Sequence, residues 1–395
     1  MLDIGQIHRN EYEYNDDRSI PVAIAQAPGR IHFLGEQSEP DAGFFLSGAI
    51  DRYIRVAVSQ RKDNSFRFFA ADLKERKRST LINLKYRRED RWANYIKTAI
   101  ILFIQLGYPM KGLNFTFCGN IPQNIGLASS EAIEIAAASA LRSLLHIQIN
   151  DKDLAEKLKE THTSIFGKTA ALADYQIGLM ARKDQFLLID TSVNEVRLIK
   201  SPFSRFRILL VDSRVPGIGA ESELASRRAD ILKGLELLSK KRAGSSGIHD
   251  SFKDFATADL LESLGDFPEQ IRRRCMHIVE EINRVNDAAD ALERCDLATF
   301  ARIIYNSHES LRDQYEISCP EIDWLVKRAQ EIEGAAGSRM TGLGFGGCTY
   351  TIIRRELVEE YKKRLDEYER IFGFRPVIYE VKLAARAKLI PERKG

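Results

Sequence analysis

Apolar residues outnumber polar ones near the front of the chain. Across residues 21–60, VAIAQAPGRIHFLGE and GFFLSGAIDRYIRVAVSQ are rich in β-branched and aromatic residues, which predicts strands broken by a turn. FRFFAADL continues that pattern, and the charge run Lys74 to Ser79 (KERKRS) reads as a solvated turn between strands rather than a binder of phosphate polymers. Trp92 to Leu106 reads as a helix, LNFTFCGNIPQ as a strand ending in a Pro-Gln-Asn turn, and GLASSEAIEIAAASALRSLL as a helix that begins with Gly and two Ser. Lys152 to Leu179 has a helical pattern interrupted at Gly167, and QFLLIDTS with VRLIKS predicts a closing hairpin. A further strand falls at Ser204 to Val215, followed by a charged amphipathic helix over 220–240 and a loop from Ala243 to Gly247. Helical patterns dominate 250–333, and TYTIIRRE and VIYEVKLA predict strands flanking the helix LVEEYKKRLDEYERIF. Strands and helices alternate without a regular βαβ period, so the expected class is α+β, with domains at 1–200 and 201–395.

Composition narrows the function classes. The chain has 395 residues, 59 Lys+Arg against 56 Asp+Glu, 44% hydrophobic and 29% charged residues. A net charge of +3 nominates neither a nucleic acid nor a membrane surface as partner. Five scattered cysteines without a CxxC pair suggest neither a zinc ribbon nor a disulfide framework, and a reduced, cytoplasmic setting is expected. The N-terminal MLDIGQIHRNEYEYNDD lacks the features of a signal peptide. The apolar run TAIILFIQLG is far short of the roughly 20 residues a bilayer requires. The histidines form no HxxxH or HxH set, so no protein-only metal site is expected.

Three segments carry candidate chemistry. Pro122 to Ala132 (PQNIGLASSEA) joins a strand to a helix, where backbone N–H groups and the helix dipole favour an anion. Gly126 permits close approach of phosphate, and Ser129 and Ser130 offer hydroxyl donors or a magnesium ligand; taken alone, the stretch is also an ordinary Ser-rich cap. Gly337 to Cys348 (GSRMTGLGFGGC) places five glycines in twelve residues, as a second phosphate-facing loop or a tight turn would require. Ala27 to Glu36 (APGRIHFLGE) presents Arg30 after a Pro-Gly turn; beside a phosphoryl-transfer site an arginine stabilises spreading charge, whereas alone it is a surface residue.

In this order and spacing the segments resemble the GHMP kinase superfamily, and galactokinases in particular. APGRIHFLGE is similar to APGR-x-N-L-I-G-E, PQNIGLASSEA to the loop P-x-G-G-G-L-S-S-S-A, and RWANYIK to WANYVKG. SLRDQYEISCPEIDWLV followed by GSRMTGLGFGGCTYT resembles a galactokinase C-terminal block, and the likeness runs from about residue 21 to 390. It implies a two-domain fold: a ribosomal-S5-like N-terminal domain and a ferredoxin-like C-terminal domain, with the site between them. It implies ATP and Mg2+ as cofactors and a monosaccharide as the small-molecule partner. Arg30 and Asp174 match the catalytic pair, with Asp174 facing the sugar C1 hydroxyl. The sugar-binding positions carry over to Glu36, Gln37, Glu39, Ala171 and Leu224. Of these, Gln37 replaces a histidine, Glu39 an aspartate, Ala171 a glycine and Leu224 a tyrosine, changes that argue against galactose in its usual pose. The ATP-binding positions carry over to Gly126, Leu127, Ala128, Ser129, Ser130, Gly342, Gly344 and Gly346, with Asn124 and Ile125 in place of glycines and Ala128 in place of a serine. Isoleucine tolerates a positive φ poorly, so the loop is expected to take a different path. Ser130 is the implied magnesium ligand, and His162 stands where the family has its glutamate. His32, in place of an asparagine, reads as a structural histidine.

Two readings of different class follow. The first is a galactokinase-like kinase that moves the ATP γ-phosphate to the C1 hydroxyl of galactose or a related monosaccharide. Retention of both Arg30 and Asp174 supports it. The alternative is a non-catalytic galactokinase-like sensor of sugar or nucleotide, to which the altered phosphate loop and the missing glutamate point. A kinase for a non-sugar alcohol is a weaker third reading, opposed by the C-terminal block.

Overall fold

The computed structural model describes residues 3–14, 19–37, 43–217, 219–242, 251–255, 257–263 and 266–392. Two sheets organise it. The first has eight strands: β1 (Val22–Leu34), β2 (Phe44–Gln60), β3 (Ser65–Ala70), β4 (Glu75–Thr80), β5 (Leu113–Gly119), β6 (Gln185–Asp190), β7 (Glu195–Lys200) and β12 (Lys388–Leu389). Its order is β12-β1-β2-β5-β3-β4, with β6 and β7 joined through the other end of β2. Strand β2 is long enough to serve two partners: Ile54 to Gln60 pairs with β5 and Phe44 to Ser47 with β6.

Helices α2 (Ala93–Gln105), α3 (Ser129–Leu144), α4 (Asp151–Phe166) and α5 (Leu172–Met180) belong to this half. The alanine run of α3 is buried, and its small side chains let the helix lie close to β1 and β2. On β1 the period-two alternation sends Ile31 and Phe33, both fully buried, into the apolar core and sends Arg30 and His32 to the opposite face.

The second sheet is four-stranded and antiparallel, in the order β11 (Val377–Val381), β8 (Phe206–Asp212), β10 (Cys348–Arg354), β9 (Ala335–Thr341). Around it run α6 (Ala220–Arg242), α7 (Thr257–Ser263), α8 (Glu269–Glu293), α9 (Leu297–Asp313), α10 (Pro320–Gln330) and α11 (Val358–Phe372). The halves are stitched at the end of β1: the Tyr350 hydroxyl donates to Phe33 O at 2.7 Å, and Glu281 of α8 accepts from Gly35 N at 3.0 Å. The chain end also returns to the first sheet, where β12 pairs with Ala25 and Gln26.

Two local features differ from the sequence reading. Helix α1 (Ile4–Glu11) lies in a stretch read only as polar; Asp3 caps it, and its buried His8 sits between Ser59 and Thr116. The run KERKRS is a strand edge rather than a turn, since Glu75–Thr80 pairs along β3 as the outermost strand. Charged residues suit an edge strand because they oppose pairing with other chains. The expected loop from Ala243 to Gly247 lies outside the described residues. Among the described residues no helix is long and apolar enough to cross a membrane.

Candidate active site

Helix α5 begins after Ala171, whose carbonyl accepts from Asp174 N at 3.1 Å, so Asp174 stands in the first turn, where the dipole favours a carboxylate. Strand β1 brings Arg30 to it as a fork: Nε donates to Oδ1 at 2.6 Å and Nη2 to Oδ2 at 3.1 Å. His32, two residues on, places Nε2 2.9 Å from the same Oδ1. Burial alone would raise the Asp174 pKa, but the Arg30 charge and the His32 and Arg30 hydrogen bonds outweigh it and hold the carboxyl well below its usual range. Burial, then the Arg30 charge, pushes His32 down, toward neutral imidazole.

Arg30 also anchors the loop ahead of α3. Its backbone N–H donates to Leu127 O at 3.2 Å and its Nη1 donates to Gly126 O. The loop's left-handed positions are Asn124 (φ 63°), Gly126 (φ 79°) and Ala128 (φ 55°). Ile125 turns its side chain into the core instead, at 6% exposure. Asparagine tolerates the left-handed region and isoleucine does not, which accounts for this division of roles within the loop. Leu127 is core as well.

The second glycine loop meets the first directly. A Cβ on Gly126 would lie 2.5 Å from Gly342 Cα, so only glycine allows this approach. Glu36 holds Gly342 in place: its Oε2 accepts from Gly342 N at 2.7 Å and from Thr341 Oγ1 at 3.1 Å, while Oε1 lies 3.6 Å from Arg30 Nη1. Gln37 Nε2 donates to Gly342 O at 3.1 Å. All three motifs therefore converge on Gly342. Gly344 and Gly346 pack instead against the backbone of Ile317 and Val215.

Ser129, Ser130 and Glu131 open α3 and face a cleft of about 690 Å³ that Tyr95, Asn124 and His162 also line. His162 Nδ1 pairs with Glu134 Oε1 at 2.8 Å, and Glu134 Oε2 accepts from the Tyr175 hydroxyl at 2.6 Å. Although burial opposes its charge, the Glu134 carboxylate raises the His162 pKa. Glu131 is pushed up to about 7, first by burial and then by Asp174 and Glu134. The oxygen donors Ser130 and Glu131 share one cleft and fit a hard cation, whereas the Nδ1 of His162 is committed to Glu134.

Several positions depart from their expected sugar roles. Glu36 and Gln37 are spent on the glycine loop, because the residues on either side of the seam offer them backbone partners. Leu224 is 4% exposed in an apolar cluster with Ile231, Phe252 and Met340, since an isobutyl side chain has no polar partner to seek. Ala171 borders Asp174 as the residue before α5. Glu39 lies outside the described residues. The sequence reading missed Glu131 and the contact of His32 with Asp174. The i, i+2 spacing of Arg30 and His32 on one strand was the available signal for the second.

Residues 7–60 match the galactokinase galactose-binding signature, 94–181 the GHMP kinase N-terminal domain and 288–370 the GHMP kinase C-terminal region. The chain is 40% identical over 387 residues to a putative galactokinase of Treponema pallidum, covering 96% of this chain and 94% of that one. It is 32% identical over 380 residues to a galactokinase of a Roseiflexus species, covering 96% and 95%. Its fold matches that of Lactococcus lactis galactokinase in complex with galactose, with a TM-score of 0.89, 22% identity, and 98% of this chain and 100% of that one covered. Methanococcus jannaschii mevalonate kinase matches with a TM-score of 0.63 at 19% identity, covering 91% and 98%.

Proposed function

The chain belongs to the galactokinase family of GHMP kinases, and on that premise we propose that it transfers the γ-phosphoryl group of ATP to the C1 hydroxyl of galactose. The observation that carries this reading is the forked Arg30–Asp174 ion pair at the meeting point of the two glycine loops. A protein that only sensed sugar or nucleotide would have no chemical use for that pair, and its presence weighs against the binding-only alternative.

The mechanism follows from the charges. The loop N–H groups ahead of α3 and the helix dipole hold the phosphates in the cleft beside Ser129 and Ser130. Asp174, kept ionised by Arg30, orients the sugar hydroxyl; held so far below neutrality it is a weak base, so it takes the proton only as the new O–P bond forms and the hydroxyl becomes acidic. Arg30 balances charge on the phosphoryl group in transit. Ser130 and Glu131 would hold Mg2+, which neutralises phosphate charge when bound. The kept acidic and basic pair makes galactose the first substrate to test, and the altered Gln37 and Glu39 make its close relatives the next. We assign the first domain to 1–200 together with the returning C-terminal segment that carries β12, the second to the chain from 201 through β11, a correction to a simple division at 200, and the protein to the cytoplasm.

The test is ADP release with ATP and magnesium across a panel of monosaccharides, with Asp174→Asn as the control. Turnover on galactose or one relative that disappears in the control supports the proposal. Equal ADP release by the control, or no sugar-dependent release by the wild type, refutes it.

A further inference from the structure

His32 does not behave as an inert core histidine. It is 2% exposed and bridges two buried polar groups, with Nδ1 2.7 Å from Ser47 Oγ and Nε2 2.9 Å from Asp174 Oδ1. Both contacts are built into the strands. His32 and Ser47 are direct cross-strand partners in the β1–β2 ladder, so their side chains share the face that Arg30 also uses. Phe45, on the same side of β2 as Ser47, holds the imidazole ring at a centroid distance of 4.9 Å.

The chain of donors has one consistent direction. Asp174 is ionised and can only accept, so His32 Nε2 carries the proton toward it. With the imidazole neutral, Nδ1 must accept, and the Ser47 hydroxyl donates to it. The groups whose charges reach His32 are Arg30, Asp174 and Glu36. Among the described residues, Oδ1 of Asp174 thereby receives two donors, Arg30 Nε and His32 Nε2, while Oδ2 receives only Arg30 Nη2 at 3.1 Å. The two carboxylate oxygens are not equivalent.

Resting on the reading of Asp174 as the group that meets the sugar hydroxyl, we infer that His32 is a positioning residue: its Nε2–H occupies Oδ1, fixes the rotation of the carboxylate, and leaves Oδ2 as the oxygen that takes the substrate proton. Proton transfer then runs from the C1 hydroxyl to Oδ2 as the O–P bond forms, and the imidazole keeps its own proton throughout. Ser47 fixes the tautomer that makes this possible.

The experiment compares full-length wild type, His32→Phe, His32→Asn and Asp174→Asn with ATP, magnesium and the sugar. Phenylalanine preserves the ring against Phe45 and removes the donor; asparagine restores a donor on a shorter arm. The expected result is a fall in kcat of about 10- to 100-fold for His32→Phe, the size of one lost hydrogen bond to a charged group. KM for the sugar should stay within about threefold, and His32→Asn should recover most of kcat. A wild-type kcat in His32→Phe overturns the inference while leaving Asp174 in its role, provided Asp174→Asn is silent. So does an equal fall in both His32 variants, which would mark a packing role. Activity retained in Asp174→Asn overturns the reading of Asp174 and the inference with it. Should His32→Phe fail to fold, 15N-histidine NMR of the wild type decides. A neutral Nε2–H tautomer for His32 between about pH 6 and 8 supports the inference, and an Nδ1–H tautomer or an imidazolium in that range overturns it.

Discussion

Replacing Glu281 by glutamine should both destabilise the protein and loosen its site, because this carboxylate neutralises a buried arginine directly behind Gly35. Glu281 is 0% and Arg339 1% exposed. Oε1 accepts from Gly35 N at 3.0 Å, Ser307 Oγ at 2.9 Å and Arg339 Nη2 at 3.3 Å, and Oε2 accepts from Arg284 Nη1 at 3.0 Å. Burial would raise the Glu281 pKa, yet the Arg339 and Arg284 charges and the Gly35 N–H bring it down to about 2 from an ordinary 4.5. At about 1.4 kcal/mol per pH unit, that displacement is worth about 3 kcal/mol of stability at neutral pH. Breaking a buried ion pair by removing one member costs about 3–5 kcal/mol, the same range. An unfolding entropy of about 2 cal/mol/K per residue over this length converts those figures to a drop in Tm of about 4–6 °C. The assay is differential scanning calorimetry of wild type and Glu281→Gln at several pH values. A carboxyl depressed by folding contributes its full stability above its unfolded value and loses it as pH falls through the folded one. The gap in Tm should therefore be full at pH 7 and shrink from about pH 4.5 toward 2. A gap under about 1 °C at pH 7, or one that is unchanged at pH 3, would refute the reasoning.

Two further outcomes are expected. Gly126→Ala places a methyl 2.5 Å from Gly342 Cα at a φ of 79°, so the loops must part; ATP affinity measured by calorimetry should fall at least about tenfold, and unchanged affinity would show that the contact is not needed. Glu131 is raised in the fold to about 7, by burial first and then by Asp174 and Glu134. It therefore costs the ligand-free protein stability as pH rises from about 4.5 through 7, and Glu131→Gln should melt above wild type at pH 8 and level with it near pH 4.5. A lower Tm for the variant at pH 8 would contradict that sign.

Much of the fold was legible because it is written in short-range patterns. The strands β1 and β2, rich in β-branched and aromatic residues, the helix α2 and the left-handed stop at Gly167 (φ 66°) follow from local composition and backbone sterics, and the structure has them where the sequence pattern places them. Helix α1 was not legible as such. Its eight residues are polar overall, and only the docking of His8 between Ser59 and Thr116 gives the helix a reason to stay. KERKRS failed in the opposite direction: charge said turn, but the ladder with β3 fixes it as an edge strand. For α1 the deciding partners lie 51 and 108 residues away, beyond any local pattern, whereas for KERKRS the partner is the adjacent strand of a hairpin that its charge density concealed.

The site divides along the same line. Arg30, Asp174 and the loop glycines were nominated by the resemblance of their motifs, since a lone arginine or aspartate carries no such signal. Glu36 and Gln37 were readable as polar groups near the sugar, but not as the pair that holds Gly342, because those contacts span 306 and 305 residues of sequence. Their geometry changes what they do. A carboxylate that accepts from Gly342 N and Thr341 Oγ1, and lies 3.6 Å from Arg30, ties the nucleotide loop to the arginine that grips Asp174. A shift of the Gly342 loop would therefore act first on Glu36, the carboxylate beside the arginine that is forked onto Asp174. On the proposed mechanism, discrimination of the sugar would fall to whatever faces Oδ2, which among the described residues is the less occupied oxygen of Asp174.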